Sequence, residues 1–492
     1  MAHGWRWLVA VVFGLVVVVV APVGRAQEGV AGEAVARVVA DFAGKAGYPG
    51  VAVAVTQRDR VLYARGYGRD SAGGVVSEGT PMPVASVSKA FTALAVLQLV
   101  EAGRVRLDDP VRQHLPEFRL ADARGARITV RQLLNQTSGI TDQTLREKSL
   151  PQPESLAEAV VRARQAKLSA EPGAEHAYTN TNFHLAARLV EVSAGVPFAE
   201  YLRDRIFRPL GMRDTLSIDQ TPRDLPPQVR QGHLYAYGAS IARAEPLRFV
   251  GGSDGIITTA ADLARWLIMQ NSGGLAPDGH RLLSAENLAL MHEASDPSRS
   301  YGLGWQRDSA GRVRHSGVWF TFTASQLLLP GGYGIAVLGN SGIGLGNEGT
   351  DQLADALARL VTGGAPGSFP PMRPIVDALL VVGTVVCGAF GIRAVRRARR
   401  WANARSGKPL WRTVLRLALQ LLPLALLIPL PDLLGLVFGG GRDLTFEQLT
   451  YFSFPLVVCL AVAVVANAGV LGARVAAFSR PAPTTGLSRG EA

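Results

Sequence analysis

Three long apolar stretches near the C-terminus constrain the fold of this 492-residue chain more than any other feature of its sequence. They cover residues 375–392, 414–438 and 452–471. An α-helix needs roughly 20 apolar residues to cross a bilayer, and a backbone inside a bilayer must pair its own polar groups, so spanning stretches of this length are helical. We therefore predict three transmembrane helices within residues 375–473. The alternative is a helical bundle buried in a soluble domain.

The charges beside these stretches predict their orientation. The joint between the first two stretches carries basic residues and no acidic one, whereas the joint between the second and third holds only Arg442, Asp443 and Glu447. Short basic loops stay in the cytoplasm. We therefore expect the first joint and a tail at residues 474–492 in the cytoplasm. The lipid bilayer is then one partner of the protein, and the large domain before residue 363 lies on the outer side.

The N-terminus also indicates export. Residues 1–26 combine Arg6, an apolar run and the small residues Gly24 and Ala26, which is the layout of a signal peptide cleaved before Gln27. An uncleaved anchor is the alternative, and either one exports the following domain. These features predict a multi-pass protein of a bacterial inner (cytoplasmic) membrane whose main domain faces the periplasm or the extracellular side.

The composition excludes several classes of function. The net charge is +12, but residues 371–492 hold 14 of the 51 Lys and Arg residues and only 5 of the 39 Asp and Glu residues. The middle of the chain is therefore nearly neutral, and we expect no nucleic-acid partner. Cys387 and Cys459 are the only cysteines and the histidines are scattered. We therefore predict no disulfide framework, no metal site and no other cofactor.

Strand signals occur at both ends of the segment between residues 27 and 362, and helical patterns lie between them. The first strands form a hairpin within residues 48–68. Further strands are expected at residues 302–305, 312–315, 324–329 and 334–339. The pattern predicts one α+β domain over residues 27–362, whose sheet takes strands from both ends. A Pro- and Gly-rich linker follows at residues 363–374.

The sequence Ser86-Val87-Ser88-Lys89 opens an apolar helix predicted over residues 86–102. Positions three apart on a helix face the same way, so Lys89 would lie beside the hydroxyl of Ser86. A serine is a weak nucleophile, which a desolvated lysine amine can activate by taking its proton. The alternative for so short a motif is an N-cap serine followed by a solvated lysine.

Two further motifs carry groups that such a nucleophile needs. Tyr178 precedes a helix and can relay protons to a leaving group, while Asn180 can bind a substrate amide. His315, Ser316 and Gly317 end a strand whose edge could bind an extended substrate. The N–H groups of Val318 and Ser86 could then form an oxyanion hole. The alternatives are a core tyrosine, an N-cap asparagine and a surface histidine.

In this order, Ser86-x-x-Lys89, Tyr178-x-Asn180 and His315-x-Gly317 resemble the motifs of the penicillin-recognising serine hydrolases of the class C β-lactamase type. That group includes D-alanyl-D-alanine peptidases, D-aminopeptidases and some esterases. The resemblance covers roughly residues 35–360. Supporting matches lie at residues 107–111, 128–140, 209–212, 255–263 and 301–305. The resemblance implies a β-lactamase/transpeptidase-like α+β fold, in which an antiparallel sheet is flanked by helices and a helical subdomain.

The same resemblance implies the role of each motif. Ser86 would be the acylated nucleophile, Lys89 and Tyr178 its proton-transfer partners, and Asn180 a substrate-binding residue. His315 stands where many β-lactamases carry a lysine. A histidine is only partly charged at neutral pH, so a β-lactamase or strict carboxypeptidase, which must hold a terminal carboxylate, is less favoured than a peptidase, amidase or esterase.

The three C-terminal stretches make the layout similar to that of the periplasmic prodrug-activating peptidases of nonribosomal peptide pathways, which cleave an acyl-D-amino-acid cap. We therefore expect a membrane-anchored, periplasm-facing serine hydrolase that forms an acyl-enzyme with a small peptide or ester. Peptides that contain D-amino acids are the first expected substrates. The alternatives are a penicillin-binding sensor protein, a β-lactamase or an esterase.

Overall fold

A six-stranded antiparallel sheet joins the two ends of the domain predicted over residues 27–362. The computed structural model describes residues 23–295, 300–345, 349–437 and 441–479, with side chains from residue 32 onward. Its strands are β1 (Gly50–Gln57), β2 (Arg60–Gly68), β3 (Met82–Pro83), β4 (Leu216–Ser217), β5 (Gln220–Thr221), β6 (Gly232–Ala236), β7 (Ala239–Arg243), β8 (Arg248–Phe249), β9 (Ile256–Thr258), β10 (Gln306–Arg307), β11 (Val313–Val318), β12 (Thr323–Leu329) and β13 (Tyr333–Gly339). The order β10-β11-β12-β13-β1-β2 confirms that the N-terminal hairpin joins the C-terminal strands.

Helices cover both faces of this sheet and form the C-terminal region. They are α1 (Val23–Ala46), α2 (Ser88–Glu101), α3 (Val111–His114), α4 (Val130–Leu134), α5 (Leu156–Ala163), α6 (Thr181–Ala194), α7 (Phe198–Leu202), α8 (Arg208–Leu210), α9 (Ala260–Asn271), α10 (Ala285–His292), α11 (Asp351–Val361), α12 (Met372–Arg396), α13 (Ala398–Asn403), α14 (Leu410–Ala418), α15 (Leu422–Leu427), α16 (Leu430–Val437), α17 (Phe446–Phe452) and α18 (Phe454–Phe478). Single turns of 3-10 helix lie at Ala85–Val87, Ala123–Arg127 and Leu419–Leu421, and a π-helical turn lies at Arg203–Phe207.

The alternation of side chains along β1 divides the core into two layers, as a strand with two buried faces requires. Val51, Val53 and Val55 pack on one side, in a cluster with residues of α1 and α11. Ala52 and Ala54 face the other, larger cluster, which includes α2 and α9. The sheet is therefore covered on both faces, which confirms the predicted α+β architecture.

Helix α2 lies at the centre of the larger cluster. Eleven of its residues are buried, including Phe91, whose ring stacks on that of Trp266 at a centroid distance of 3.9 Å. Burial on all sides explains why the helix is apolar around its whole circumference. The helix begins at Ser88, because residues 85–87 form a 3-10 turn, so the prediction that it starts at Ser86 was two residues too early.

Side chains cap the first turns of two helices in the main domain. The side chains of Thr129 and Gln132 form a reciprocal capping box at the start of α4. Thr259 accepts a hydrogen bond from the backbone N–H of Asp262 at the start of α9.

The strand predicted at residues 302–305 was wrong, because Gly304 turns the chain with a φ of +73° and the strand begins only at Gln306.

Three C-terminal helices are long and apolar enough to cross a membrane. They are Met372–Arg396, Leu410–Leu427 and Phe454–Phe478, with mean hydropathies of 2.3, 1.5 and 2.4. This agrees with the three predicted stretches, although the second is broken by the 3-10 turn and ends before Pro429. Residues 1–22 of the predicted signal peptide (1–26) and residues 480–492 of the predicted tail (474–492) lie outside the described residues, while residues 23–26 begin α1 and residues 474–478 end α18.

The segment predicted as a linker contacts the main domain. Helix α12 begins at Met372, inside that segment, and Arg373 is buried beside β13. Its guanidinium donates hydrogen bonds to the carbonyl of Ala46 at 3.0 Å, to the hydroxyl of Ser341 at 3.1 Å and to the carbonyl of Gly342. The first apolar helix is therefore fixed to the domain at its N-terminal end.

Candidate active site

Ser86 lies on a strained turn that packs against β11 of the sheet. The residue before it, Ala85, has a φ of +48°, which an L-residue rarely adopts. The carbonyl oxygen of Val84 approaches β11 so closely that a Cβ at Gly317 would lie 2.0 Å from it. Only glycine fits there, which accounts for the glycine of the His315-x-Gly317 motif. The turn that carries Ser86 and the strand that carries His315 are thus held side by side.

Lys89 is fully buried and reaches the hydroxyl of Ser86. Its Nζ donates hydrogen bonds to Ser86 Oγ at 2.9 Å, Asn180 Oδ1 at 2.9 Å and the carbonyl of Ser253 at 3.1 Å. Nζ also lies 3.3 Å from Oδ1 of Asp254. The structure therefore brings together three of the sequence-predicted site residues: Ser86, Lys89 and Asn180.

Asp254 is a member of this cluster that sequence reasoning missed. Its Oδ1 accepts the hydroxyl proton of Ser86 at 2.7 Å, and its Oδ2 accepts from Nδ2 of Asn180 at 2.8 Å. Burial opposes ionisation, but the charges of Lys89 and Arg248 and the hydrogen bond from Ser86 together outweigh it and hold the pKa of Asp254 well below its usual range. The only signal in the sequence was an acidic residue inside an otherwise apolar run, directly before the match at residues 255–263.

Tyr178 is placed by a loop that Gln136 holds. The side-chain amide of Gln136 accepts from the N–H of Thr179 at 3.2 Å and donates to the carbonyl of Thr179 at 3.1 Å. The backbone carbonyl of Gln136 accepts from the N–H of Ala177 at 2.9 Å. The Tyr178 ring centroid lies 4.9 Å from Nζ of Lys89. Gln136 lies within the match at residues 128–140, but nothing in the sequence assigned it this positioning role.

Asn180 occupies the N-cap position of α6 without capping it through its side chain. The side-chain amide accepts from Lys89 and donates to Asp254 instead. An asparagine at this position would ordinarily cap the helix. Because Asn180 hydrogen-bonds both Lys89 and Asp254, its side chain fixes the distance between these two charged groups.

His315 is buried and both of its ring nitrogens have partners within the protein. Because a carbonyl can only accept, Nδ1 donates to the carbonyl of Ser316 at 2.7 Å, and Nε2 of the neutral ring then accepts from the hydroxyl of Tyr301 at 3.0 Å. Burial and the nearby charge of Lys89 lower the pKa of His315 to about 3. At neutral pH this position of the strand carries no charge.

A cavity of about 750 Å³ opens over these residues. Its lining includes six of the predicted site residues and their neighbour in the cluster: Ser86, Tyr178, Asn180, His315, Ser316, Val318 and Asp254. Lys89 lies beneath its floor, and Gly317 lies within β11 between two lining residues. Among the described residues no group of three His, Cys, Asp or Glu side chains is placed to hold a metal ion. The arrangement combines an activated hydroxyl, buried proton carriers and room for a small substrate.

Comparison with known proteins agrees with this geometry. A family model described as Beta-lactamase matches residues 35–360, about two thirds of the chain. The chain belongs to the β-lactamase family of penicillin-recognising serine hydrolases. Penicillin-binding protein 4 of Amycolatopsis lactamdurans is 31% identical over 363 residues, which cover 68% of this chain and 92% of that protein.

Solved structures with the β-lactamase-family fold are similar as well. The octameric penicillin-binding protein homologue from Pyrococcus abyssi has a TM-score of 0.59 and 24% identity, over 71% of this chain and 81% of that one. The D-amino acid amidase from Ochrobactrum anthropi SV3 has a TM-score of 0.57 and 22% identity, over 68% of this chain and 99% of that one. At these identities the likeness shows the fold, which confirms the predicted β-lactamase/transpeptidase-like class.

Residues outside the part that matches the β-lactamase family complete one wall of the cavity. Residues 441–445, which precede α17, contact the main domain through Asp443, which accepts from the N–H groups of Lys148 and Ser149 at 3.0 and 2.9 Å and from the Ser149 hydroxyl at 2.9 Å. Beside it, Arg442 donates through Nε to Asp142 at 2.7 Å. The Arg442 guanidinium lies 4.9 Å from the Tyr178 ring centroid. The C-terminal region therefore reaches the candidate active site.

Proposed function

We propose that this protein is a membrane-anchored serine hydrolase that cleaves an amide or ester through an acyl-enzyme on Ser86. Peptides containing D-amino acids are its substrate class. The observation that carries the proposal is the Ser86 hydroxyl, which lies between Nζ of Lys89 at 2.9 Å and the carboxylate of Asp254 at 2.7 Å and lines the cavity. Membership of a serine hydrolase family supports the same chemistry.

In the first half of the proposed reaction, Oγ of Ser86 attacks the carbonyl carbon of the substrate. The proton of Oγ passes to the Lys89–Asp254 pair, whose charged groups lie 3.3 Å apart. The N–H groups of Ser86 and Val318 stabilise the oxyanion. The bond to the leaving nitrogen or oxygen then breaks, and Tyr178 donates a proton to that atom and is reprotonated from the pair.

In the second half, water attacks the acyl carbon. A water proton passes to the Lys89–Asp254 pair as the new bond forms, and Oγ of Ser86 regains a proton when the ester bond breaks. The acid is released and the resting state returns. Asn180 and the edge of β11 at Ser316 would hold the substrate backbone.

The proposed substrate class is inferred from His315, near the end of β11. His315 is neutral and both of its nitrogens are occupied, so this position supplies no permanent charge for a terminal carboxylate. That favours an internal amide or ester over the substrates of a β-lactamase or strict carboxypeptidase. One fold neighbour is a D-amino acid amidase, which supports testing D-configured amides first.

The proposed location is a bacterial inner membrane with the active site on the periplasmic side. Three helices that are long and apolar enough to span a bilayer support membrane association. The arginine-rich joint between the first two supports the orientation, since basic loops stay in the cytoplasm. The lipid bilayer and a small peptide or ester are then the partners of the protein.

A hydrolysis panel tests this proposal on the full-length protein in nanodiscs, with Ser86→Ala as the blank. We expect N-acyl-D-aminoacyl p-nitroanilides to be cleaved faster than their L-counterparts, p-nitrophenyl esters and a chromogenic cephalosporin. A fluorophosphonate should label the wild type at Ser86 and leave Ser86→Ala unlabelled. Activity that survives in Ser86→Ala would refute the mechanism. A preference for L-amides, esters or the cephalosporin would refute the substrate class.

A further inference from the structure

Arg248 is a buried cation with no acidic partner among the described residues. It lies on β8, is 6% exposed and lines the cavity that contains Ser86. Its Nε and Nη2 are buried without a hydrogen-bond partner. A buried ion without compensation costs several kcal/mol, so an unpaired guanidinium in a cavity indicates a missing anion.

Two aromatic rings lie beside the guanidinium of Arg248. Its guanidinium carbon lies 4.8 Å from the ring centroid of Phe320 and 5.7 Å from that of Trp319. Such contacts stabilise the cation without using its N–H donors. The N–H groups of a guanidinium lie in its plane, where they match the two oxygens of a carboxylate.

Arg442 presents a second guanidinium to the same cavity. Only its Nε has a partner among the described residues, the carboxylate of Asp142 at 2.7 Å. Its two terminal nitrogens therefore keep their donors. Arg248 and Arg442 both belong to the lining of the cavity that contains Ser86.

The acidic groups around this cavity are already engaged. Asp142 pairs with Arg442 and Lys148, and Asp443 accepts four hydrogen bonds or ion contacts at the base of the docked segment. Glu245 accepts from the N–H groups of Phe320 and Thr321 and from the Thr321 hydroxyl. Asp254 is committed to Lys89 and Ser86. None of these carboxylates is within ion-pair distance of Arg248.

We propose that Arg248 and Arg442 form a subsite for a carboxylate carried by the acyl part of the substrate of Ser86. The inference rests on the proposed function, since it names a recognition element of that same site. It concerns a carboxylate on the acyl side, while the strand end at His315 still supplies no charge for a terminal carboxylate. One of them, Arg442, belongs to the segment between the second and third apolar helices, so the C-terminal region contributes to specificity.

Two matched substrate pairs test the subsite on the full-length protein in nanodiscs. The first is N-acetyl-D-Glu p-nitroanilide against N-acetyl-D-Gln p-nitroanilide, which places the carboxylate on the acyl side. The second is N-acetyl-D-Ala-D-Ala against its C-terminal amide, which places it on the leaving-group side. We expect the acid to be favoured in the first pair by about tenfold or more in kcat/KM, mainly through KM, and to have no advantage in the second pair.

Substitutions then assign that preference to the arginines. Arg248→Gln should bring the acid-to-amide ratio close to one, Arg442→Gln should lower it, and Arg248→Lys should restore part of it. Arg203→Gln, on the exposed surface, should leave the ratio unchanged. Labelling of Ser86 by a neutral fluorophosphonate reports in each variant whether the reactive cluster is intact.

The outcomes separate the two proposals. Equal rates for acid and amide in the first pair, or an acid preference in the second pair only, would overturn the subsite while leaving the hydrolase intact. An acid preference that neither Arg248→Gln nor Arg442→Gln reduces, with Ser86 still labelled, would do the same. Wild type that neither hydrolyses the substrates nor is labelled at Ser86 would overturn the proposed function, and the subsite with it.

Discussion

Asp254 gives the Ser86 hydroxyl a second neighbour that can accept its proton. Its carboxylate accepts a hydrogen bond from that hydroxyl at 2.7 Å and lies 3.3 Å from Nζ of Lys89. The S-x-x-K spacing alone suggested the lysine amine as the base. Because the carboxylate contacts both groups, we expect base catalysis to depend on the pair.

Replacing Asp254 by Asn tests that role, because it removes the charge and keeps the shape. We expect kcat/KM to fall by at least about 10²-fold, the usual scale for a lost acid–base group. Leaving Lys89 buried without its counterion should also lower the free energy of unfolding by about 3–5 kcal/mol. Initial rates and thermal unfolding of the full-length protein measure both effects, with the exposed Asp278→Asn as control. Wild-type kcat/KM in Asp254→Asn would contradict the assignment.

His315 makes stability dependent on pH in a defined direction. Burial and the charge of Lys89 lower its pKa to about 3, against about 6.5 in an unfolded chain. Between these values the unfolded chain binds a proton that the folded protein does not. The free energy of unfolding therefore falls as the pH drops from 6.5 towards 3, by about 1.4 kcal/mol per pH unit at the full effect.

The variant His315→Gln removes that titration. Thermal unfolding of wild type and variant at pH 7, 5.5 and 4.5 should show the wild type losing more stability on acidification. The stability difference between the two proteins should therefore shift in favour of the variant as the pH falls. Parallel pH dependence would show that His315 titrates normally in the folded state.

The order of the three motifs allowed the sequence to predict the main site residues, and their placement around one cavity is consistent with that prediction. The residues it could not supply are those whose partners lie far away in the chain. Asp254 meets Ser86 across 168 positions, and Gln136 meets Thr179 across 43. A single sequence contains no information on such contacts when the residue types occur in no recognised motif. Arg248 was missed as well, because the aromatic rings beside it, those of Trp319 and Phe320, lie far away in the chain.

At the scale of elements, the contact between β11 and the turn that carries Ser86 determines the geometry of the site. Strand and helix periodicity predicted β1, β2 and β11–β13 because their apolar residues are continuous or alternate. Periodicity could not predict that the turn at Ala85–Val87 would be 3-10, because that depends on β11 pressing against Val84. The false strand at residues 302–305 has a similar origin: a Cβ at Gly304 would lie 2.7 Å from the carbonyl oxygen of Lys89, so tertiary packing decides its conformation.

Gly317→Ala tests this contact. The added methyl would lie 2.0 Å from the carbonyl oxygen of Val84, which must move because it is backbone. Overpacking of this kind typically costs about 1–3 kcal/mol, and displacement of the Ser86 turn should lower the rate of fluorophosphonate labelling by at least about 10²-fold. Gly79→Ala is the control, because its Cβ would meet only a serine hydroxyl at 3.7 Å. Unchanged labelling in Gly317→Ala would show that the contact does not position Ser86.

At the scale of the whole molecule, the apolar helices and the hydrolase domain are joined at two places. Arg373 fixes the start of α12, and Asp443 fixes the segment after α16. The sequence predicted the helices from length and hydropathy, because those properties are local. It gave no indication of the docking, because Arg442 and Asp443 resemble ordinary charged residues of a short loop.

The orientation of the three apolar helices is predicted from the arginine-rich joint between the first two. A periplasm-dependent reporter such as alkaline phosphatase should be active when fused after Glu447 and silent when fused after Ala402. Immunoblots of both fusions control for expression. The opposite pattern would place Ser86 in the cytoplasm and contradict the proposed location.

Asp443→Asn tests whether the docked segment supports activity. The side chain is fully buried and accepts two backbone N–H groups and a hydroxyl, so loss of its charge weakens charge-assisted hydrogen bonds worth about 1.5–3 kcal/mol each. We expect faster proteolysis near residue 441 and a lower kcat/KM, because Arg442 moves with the segment and leaves the ring of Tyr178. Glu447→Gln, four residues further and exposed, should change neither. If Asp443→Asn loosens the segment and kcat/KM stays at the wild-type value, the C-terminal region closes the cavity without contributing to catalysis.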